Sequence, residues 1–249
     1  MINLPKVIGH RGAKDLVPEN TLISINESIK YNVKWIEVDV KVSKDNIPFL
    51  LHDDLLDRTT TATGNPCNYL YKEIKTLDAG SWFDKKFYFA YPPSLNEVLS
   101  FCSNKILGIN IELKPNKGKE KENVIAISNL INQFRPKFQY YFSSFDYLSL
   151  KLMRRYMPGS GLGYLLDNSN YKKDFNSIIR KCINLKCFSI GFNKNFINKN
   201  IIKLCKKNNL AITVFSKRNI KYKSALKLWE NGVDSIFLDN PNYYEKILD

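Results

Sequence analysis

Three observations predict a closed (β/α)8 barrel, a TIM barrel, for this sequence. Short apolar runs of strand type recur with helical stretches between them, the alternation that produces a parallel sheet. The 249 residues are close to the length of one such barrel. One extra apolar run falls too soon after its predecessor to be a barrel strand, and setting it aside leaves eight.

The first strand is expected at residues 7–9 and runs into His10. A helix over 21–31 follows, and then a strand over 35–40 with the sequence Trp35-Ile-Glu-Val-Asp-Val40. The extra run, 49–52, is reached from Val42 through only Ser43-Lys-Asp-Asn-Ile-Pro48. A parallel partner needs a crossover of a dozen or more residues, so this pair must be an antiparallel hairpin. The second strand therefore runs past the barrel end and folds back, which brings His52 to the rim that carries Glu37 and Asp39. Residues 54–93 hold turn residues, aromatics and Asp78-Ala-Gly-Ser-Trp82, and read as an excursion from the rim, a lid or a small capping insertion. The remaining strands are expected at 108–113, 139–143, 161–166, 187–191, 211–215 and 235–238. Helices are expected at 94–103, 121–133, 147–155, 175–183, 198–208 and 221–231. No repeat or low-complexity linker interrupts the pattern, so residues 1–249 read as one domain.

A hydrophobic fraction of 44% is ample for a packed core. The five cysteines (Cys67, Cys102, Cys182, Cys187, Cys205) are odd in number, form no Cys-x-x-Cys pair and have no histidine nearby. That argues for reduced thiols and against a zinc site. A net charge of +14 raises a nucleic-acid or anionic-membrane partner. The lysines are spread along the chain and mixed with acids, as in Lys117-Gly-Lys-Glu-Lys121, so only a general field favouring anionic substrates is expected. Residues 1–30 do not read as a signal peptide. No run approaches the ~20 apolar residues of a membrane span. A soluble, cytoplasmic protein without stable membrane insertion is expected, and a homo-oligomer is left open.

The chain has two histidines, His10 and His52, each at the end of an apolar strand-type run. Histidine is the side chain suited to proton transfer near neutral pH. In a parallel barrel, functional groups gather at the carboxyl ends of the strands. His10 and Arg11 end the first strand, Glu37 and Asp39 the second, and Glu112 and Lys114 the third. Alternate residues of a strand share a face. Glu37 with Asp39, and Glu112 with Lys114, therefore point together. Each pair alone is also the pattern of a salt-bridged strand end; their conjunction with both histidines gives the signal weight. Three carboxylates make a hard oxygen site suited to Mg²⁺ or Ca²⁺. Arg11 and Lys114 add cationic donors for a phosphate. Metal, two histidines and two cations suit phosphodiester cleavage.

These residues carry a family resemblance. His10-Arg11-Gly12, Pro18-Glu-Asn-Thr21, Glu37-x-Asp39, His52-Asp53, Arg58-Thr-Thr60, Glu112-x-Lys114, Ser143-Ser-Phe145 and Gly232-Val-Asp234 occur in that order. Together they resemble the signature of the glycerophosphodiester phosphodiesterase family, and the bacterial cytosolic form most of all. The resemblance implies a TIM barrel with an insertion after the His-Asp strand. It also implies hydrolysis of small glycerophosphodiesters to glycerol 3-phosphate and an alcohol. Carried over, His10 and His52 would be the acid/base pair, with the two roles unassigned. Glu37, Asp39 and Glu112 would hold the metal, Arg11 and Lys114 would grip the phosphate, and Glu19 and Asp53 would orient neighbours. Members commonly carry a Trp-Thr-Val-Asn-like run on the penultimate strand. Here it is Ile212-Thr-Val-Phe-Ser-Lys-Arg-Asn219, with Phe215 and Asn219 in a shifted register. Phe145, Phe215 and Trp82 are candidate walls for the substrate.

Two rival classes remain. A phosphatidylinositol phospholipase C or lysophospholipase D on this fold would meet a lipid, and the Asn- and Lys-rich loops show no evident apolar rim for one. An inactive phosphodiester-binding module would not need two proton-transfer groups.

Overall fold

Strand β1 (Val7–His10) hydrogen-bonds on one side to β9 (Ser235–Leu238) and on the other to β2 (Trp35–Val42), and so closes a barrel. The structure, a computed structural model, describes residues 2–167 and 174–244. Among them, the parallel strands continue as β4 (Gly108–Leu113), β5 (Gln139–Ser144), β6 (Gly161–Leu166), β7 (Ser189–Asn193) and β8 (Ala211–Phe215). Strand β3 (Pro48–Leu50) pairs antiparallel with the end of β2, as the short connection requires. The eight-stranded barrel with one return strand is thus present.

Helices cover the outside: α1 (Leu22–Lys30), α2 (Leu95–Cys102), α3 (Glu120–Phe134), α4 (Tyr147–Tyr156), α5 (Phe175–Asn184), α6 (Lys199–Lys207) and α7 (Tyr222–Glu230). Each inward stripe follows the helical period. In α3, Val124, Ile127 and Ile131 are buried at spacings of three and four. They meet the outer faces of the strands, where Ile36, Val38 and Val40 are fully buried. Burying each such side chain stabilises the fold by about 1.5–3 kcal/mol.

Alternation along β2 then sends Trp35, Glu37, Asp39 and Lys41 to the barrel interior. At the amino end Ile8, Trp35, Tyr141 and Phe237 close the floor as one apolar cluster. The polar members of the same rows sit above it. In the register Asp39 faces Glu112, and His10 faces Glu37.

Several strands run one or two residues past their expected ends, as β1, β2 and β5 do, and two others have shifted boundaries. The run expected at 187–191 forms its strand at Ser189–Asn193. Lys186 adopts a left-handed φ of 49° and Cys187 N–H caps the Cys182 carbonyl at 2.8 Å, so Cys187 still belongs to the turn that ends α5. The return strand ends at Leu50 rather than at His52: Leu51 N–H still reaches the Asp39 carbonyl at 3.1 Å, and the chain bends away from Asp53 onward. The excursion has its own small core of Phe49, Leu51, Leu56 and Ile74. Glu97 on α2 clamps it, accepting hydrogen bonds from Tyr71 Oη and Lys75 Nζ, each at 2.6 Å.

Candidate active site

The turn after β1 is shaped by sequence. Arg11 takes a left-handed φ of 51° and Gly12 follows at 80°. A Cβ on Gly12 would lie 2.4 Å from the Ser24 backbone, so only glycine fits there. The turn aims Arg11 N–H at Glu37 Oε2, 3.0 Å away. Pro18-Glu-Asn-Thr21 then does two jobs. Thr21 caps α1 through a reciprocal pair with Ser24. Asn20 Nδ2 donates to Asp39 Oδ2 at 2.8 Å, while Asp39 N–H donates back to Asn20 Oδ1 at 3.2 Å. Motifs that read as separate signals are one hydrogen-bonded unit.

The three predicted carboxylates come together. Ligand oxygens of Glu37, Asp39 and Glu112 lie within 4.8 Å of one another, and all three residues are buried. Arg11 Nε stands 3.1 Å from Asp39 Oδ2, and Lys114 Nζ stands 3.2 Å from Asp39 Oδ1 and 2.8 Å from Glu112 Oε1. Burial would raise all three carboxyls. For Asp39 the Lys114 ammonium and Arg11 guanidinium outweigh it and hold the group well below the usual carboxylate range. Glu37 is pushed well above that range by burial and then by Asp39 and Glu112. Glu112 is also raised, burial exceeding the pull of Lys114. Three carboxyls so close, two of them pushed up for want of compensating charge despite two neighbouring cations, leave room for one more positive charge. Glu37 Oε1 is buried with no hydrogen-bond partner. All the donors are hard oxygens. The set therefore fits a divalent ion such as Mg²⁺ or Ca²⁺.

Both histidines are held by carboxylates through Nδ1. His10 Nδ1 is 2.7 Å from Asp239 Oδ1, and His52 Nδ1 is 2.6 Å from Asp53 Oδ1. A carboxylate can only accept, so each Nδ1 carries the proton and each Nε2 is left as the free basic nitrogen. Burial lowers His10, opposed by Asp239. Burial, opposed by Asp39 and helped by Lys114 and Arg11, brings His52 down to about 4. Both shifts favour the neutral ring in the ligand-free site. Glu19 and Asp53 are tied together by Arg58, whose Nη2 donates to each at 2.7 and 3.0 Å, while Glu19 also accepts from Arg11 Nη1 at 2.8 Å.

His10, Arg11, Glu37, His52, Glu112 and Lys114 line one cavity of about 220 Å³, with their carboxylate partners behind them. Its opposite wall is Phe145, Leu165, Asn193, Phe215, Ser216, Lys217 and Phe237. Phe145 and Phe215 meet edge to face with ring centres 5.5 Å apart. Of the remaining candidates, Trp82 is outside the lining and packs under Arg58, whose guanidinium carbon is 5.7 Å from its ring centre. Asn219 is also outside: its Oδ1 accepts from Asp239 and Asn240 N–H, each at 3.2 Å. Asp239 was missed by sequence reasoning. It follows directly on the last barrel strand, so the strand-end rule that singles out Glu37 and Glu112 applies to it as well. Asn193 ends β7 and falls under the same rule; Asn20 was legible only as part of the Pro18–Thr21 motif, and Lys217, past the end of β8, carried no mark.

Comparison with known proteins gives a consistent result. The model of the glycerophosphoryl diester phosphodiesterase family matches residues 10–243. The chain is 30% identical over 243 residues to a glycerophosphodiester phosphodiesterase of Caldanaerobacter subterraneus subsp. tengcongensis, covering 94% of each. It is 30% identical over 248 residues to one of Bacillus altitudinis, covering 98% of each. Among solved structures, a phosphodiesterase of Oleispira antarctica in complex with the product sn-glycerol-3-phosphate superposes with a TM-score of 0.89. That protein is 33% identical, and the match covers 98% of this chain and 95% of that one.

Proposed function

The chain belongs to the glycerophosphoryl diester phosphodiesterase family and is a phosphoric diester hydrolase, and from that premise we propose its substrate class and mechanism. The substrates are glycerophosphodiesters such as glycerophosphocholine and glycerophosphoethanolamine. The products are sn-glycerol 3-phosphate and an alcohol. The enzyme acts as a metal-dependent catalyst in the cytoplasm. The single observation that carries this reading is the pair of histidine–carboxylate dyads on one cavity, beside three buried carboxylates and two cations.

Arg11 and Lys114 neutralise the phosphoryl oxygens and orient the phosphodiester between the histidines. One histidine accepts, at Nε2, the proton of the attacking hydroxyl, from water or from the neighbouring glycerol hydroxyl. The other enters the step as the imidazolium, its charge matched by its own carboxylate and by the phosphodiester anion, and delivers its Nε2 proton to the departing alkoxide as the P–O bond breaks. Asp239 and Asp53 hold a proton at Nδ1 of each ring, so that Nε2 is the nitrogen that exchanges protons, and they stabilise the imidazolium form. Glu37, Asp39 and Glu112 would hold the divalent ion, which when bound supplies Lewis-acid polarisation of the phosphoryl oxygens. The sn-glycerol-3-phosphate complex of the Oleispira antarctica protein supports the choice of substrate. Phe145 and Phe215 form the apolar side of the substrate pocket.

The test is release of glycerol 3-phosphate from glycerophosphocholine, with and without EDTA, for the wild type and His10→Ala. Activity that needs metal and disappears with the histidine is expected. A folded, metal-supplied protein that releases glycerol 3-phosphate from no glycerophosphodiester would falsify the reading.

A further inference from the structure

Ala79 N–H donates to the Ala90 carbonyl at 2.7 Å and closes a loop of residues 80–89 at its base. Ala79 shares a small crevice with His52, Thr59 and Thr60, so this loop springs from beside the active-site mouth. It holds five aromatics. Ring centres of Trp82 and Phe83 are 5.7 Å apart, those of Phe83 and Phe87 6.0 Å, and those of Tyr88 and Phe89 5.7 Å. Phe83 and Phe87 are half-buried. Tyr88 is 70% exposed and Phe89 61% exposed, although they are adjacent in sequence. Neighbouring side chains that both stand in solvent mark a projecting tip rather than one face of a flat surface. A Cβ on Gly80 would lie 1.9 Å from the Phe87 carbonyl oxygen, so the tip has a set shape.

Large exposed aromatics gathered in one place signal a partner. The charges around them indicate which kind. Lys85 and Lys86 are exposed at the turn. Asp84, the one acid of the loop, is already paired with Lys86 at 3.2 Å. The chain as a whole carries +14. Aromatic rings beside lysines suit the boundary between headgroups and acyl chains, where rings bury and ammonium groups meet anionic phosphates. A protein partner would call for a broad complementary face of about 800 Å² per side, which a projecting tip does not offer.

We infer that residues 80–89 form a peripheral docking loop for an anionic lipid surface, seating the His52 side of the active-site mouth against the bilayer. No apolar rim is evident in the residue order because Asp84, Lys85 and Lys86 separate Trp82-Phe83 from Phe87-Tyr88-Phe89; folding collects them. The inference concerns where the enzyme works and stands independently of which diester it cleaves.

The experiment is co-sedimentation of the full chain at low ionic strength with phosphatidylcholine vesicles and with vesicles that also contain phosphatidylglycerol. Binding only to the second kind is expected. Lys85→Glu with Lys86→Glu should weaken it about fivefold or more per lysine. Tyr88→Ser with Phe89→Ser should weaken it about tenfold or more. Both variants should keep the wild-type melting temperature and turnover of a soluble diester. Absence of binding to phosphatidylglycerol vesicles overturns the proposal. So does equal binding by all three proteins, which would reduce it to the general positive charge. A concentration-dependent dimer that the Tyr88/Phe89 variant dissolves would instead assign the tip to self-association and overturn it as well.

Discussion

The two walls of the cavity are built on opposite plans. On the side of β1, β2 and β4 every functional group is charged or titratable and is held by at least one other. Arg11 touches Glu19 and Asp39, Lys114 touches Asp39 and Glu112, and each histidine leans on its own carboxylate. On the side of β5 to β9 the lining is mainly Phe145, Leu165, Phe215 and Phe237, with Asn193, Ser216 and Lys217 at the edge. A buried charge is tolerated only when it is paired, so the first wall must be a closed network and changes there propagate. Apolar contacts are non-directional, so the second wall can be reshaped locally. In the proposed mechanism, chemistry belongs to the first wall and substrate fit to the second.

That division predicts a graded set of outcomes. His52→Ala should lower kcat by about 10²–10⁴-fold, measured as glycerol 3-phosphate release under metal saturation, with the fold intact. A loss confined to KM would erase the distinction between the walls. Asp239→Asn should come next, with kcat down about 100-fold and KM little changed, because an amide in place of the carboxylate no longer fixes the His10 tautomer. Retained activity would mean that Asp239 is a structural strand-end residue. Phe215→Ala tests the opposite wall and should raise KM about three- to tenfold while leaving kcat near the wild-type value. A large drop in kcat there would place an aromatic among the groups that act in the transition state.

The smallest effect lies outside both walls. Burial would raise Glu97, but Lys75, Tyr71 and Ser94 outweigh it and hold its carboxyl at about 2. A folded-state value below the unfolded one stabilises the protein above pH about 4.5, and that contribution is lost as the pH falls through the interval down to about 2. Glu97→Gln should therefore cost about 1 kcal/mol at neutral pH, since solvent screens part of the network. The gap between the two urea midpoints should shrink as the pH is lowered across that interval. A gap that stays constant with pH would show that packing, not charge, clamps the insertion to α2.

Much of the molecule was legible from residue order alone, and the reasons are local. Strand and helix periods are properties of consecutive residues, so the alternation and the return strand could be read directly. Alternation placed Glu37 with Asp39 on one face, and the rule that function gathers at strand ends joined them to Glu112, Lys114 and both histidines. The strand at Ser189–Asn193 was misplaced by two residues because a left-handed Lys186 prolongs the helix-ending turn, and no side-chain pattern announces that.

The partners of the site were decided by tertiary structure. His10 and Asp239 are 229 residues apart, and barrel closure between β1 and β9 makes them neighbours. Asn20 could be read as part of a helix-start motif, while its bond to Asp39 needs the turn at Arg11 and Gly12. The shifted segment from Val214 to Asn219 splits in the fold, with Phe215 entering the cavity and Asn219 holding the backbone of Asp239 and Asn240. Sequence determined which residue types stand at which strand ends, because that follows from a period of two. Only the closed barrel determined which of them touch, because hydrogen bonds and ion pairs depend on distances that closure alone sets.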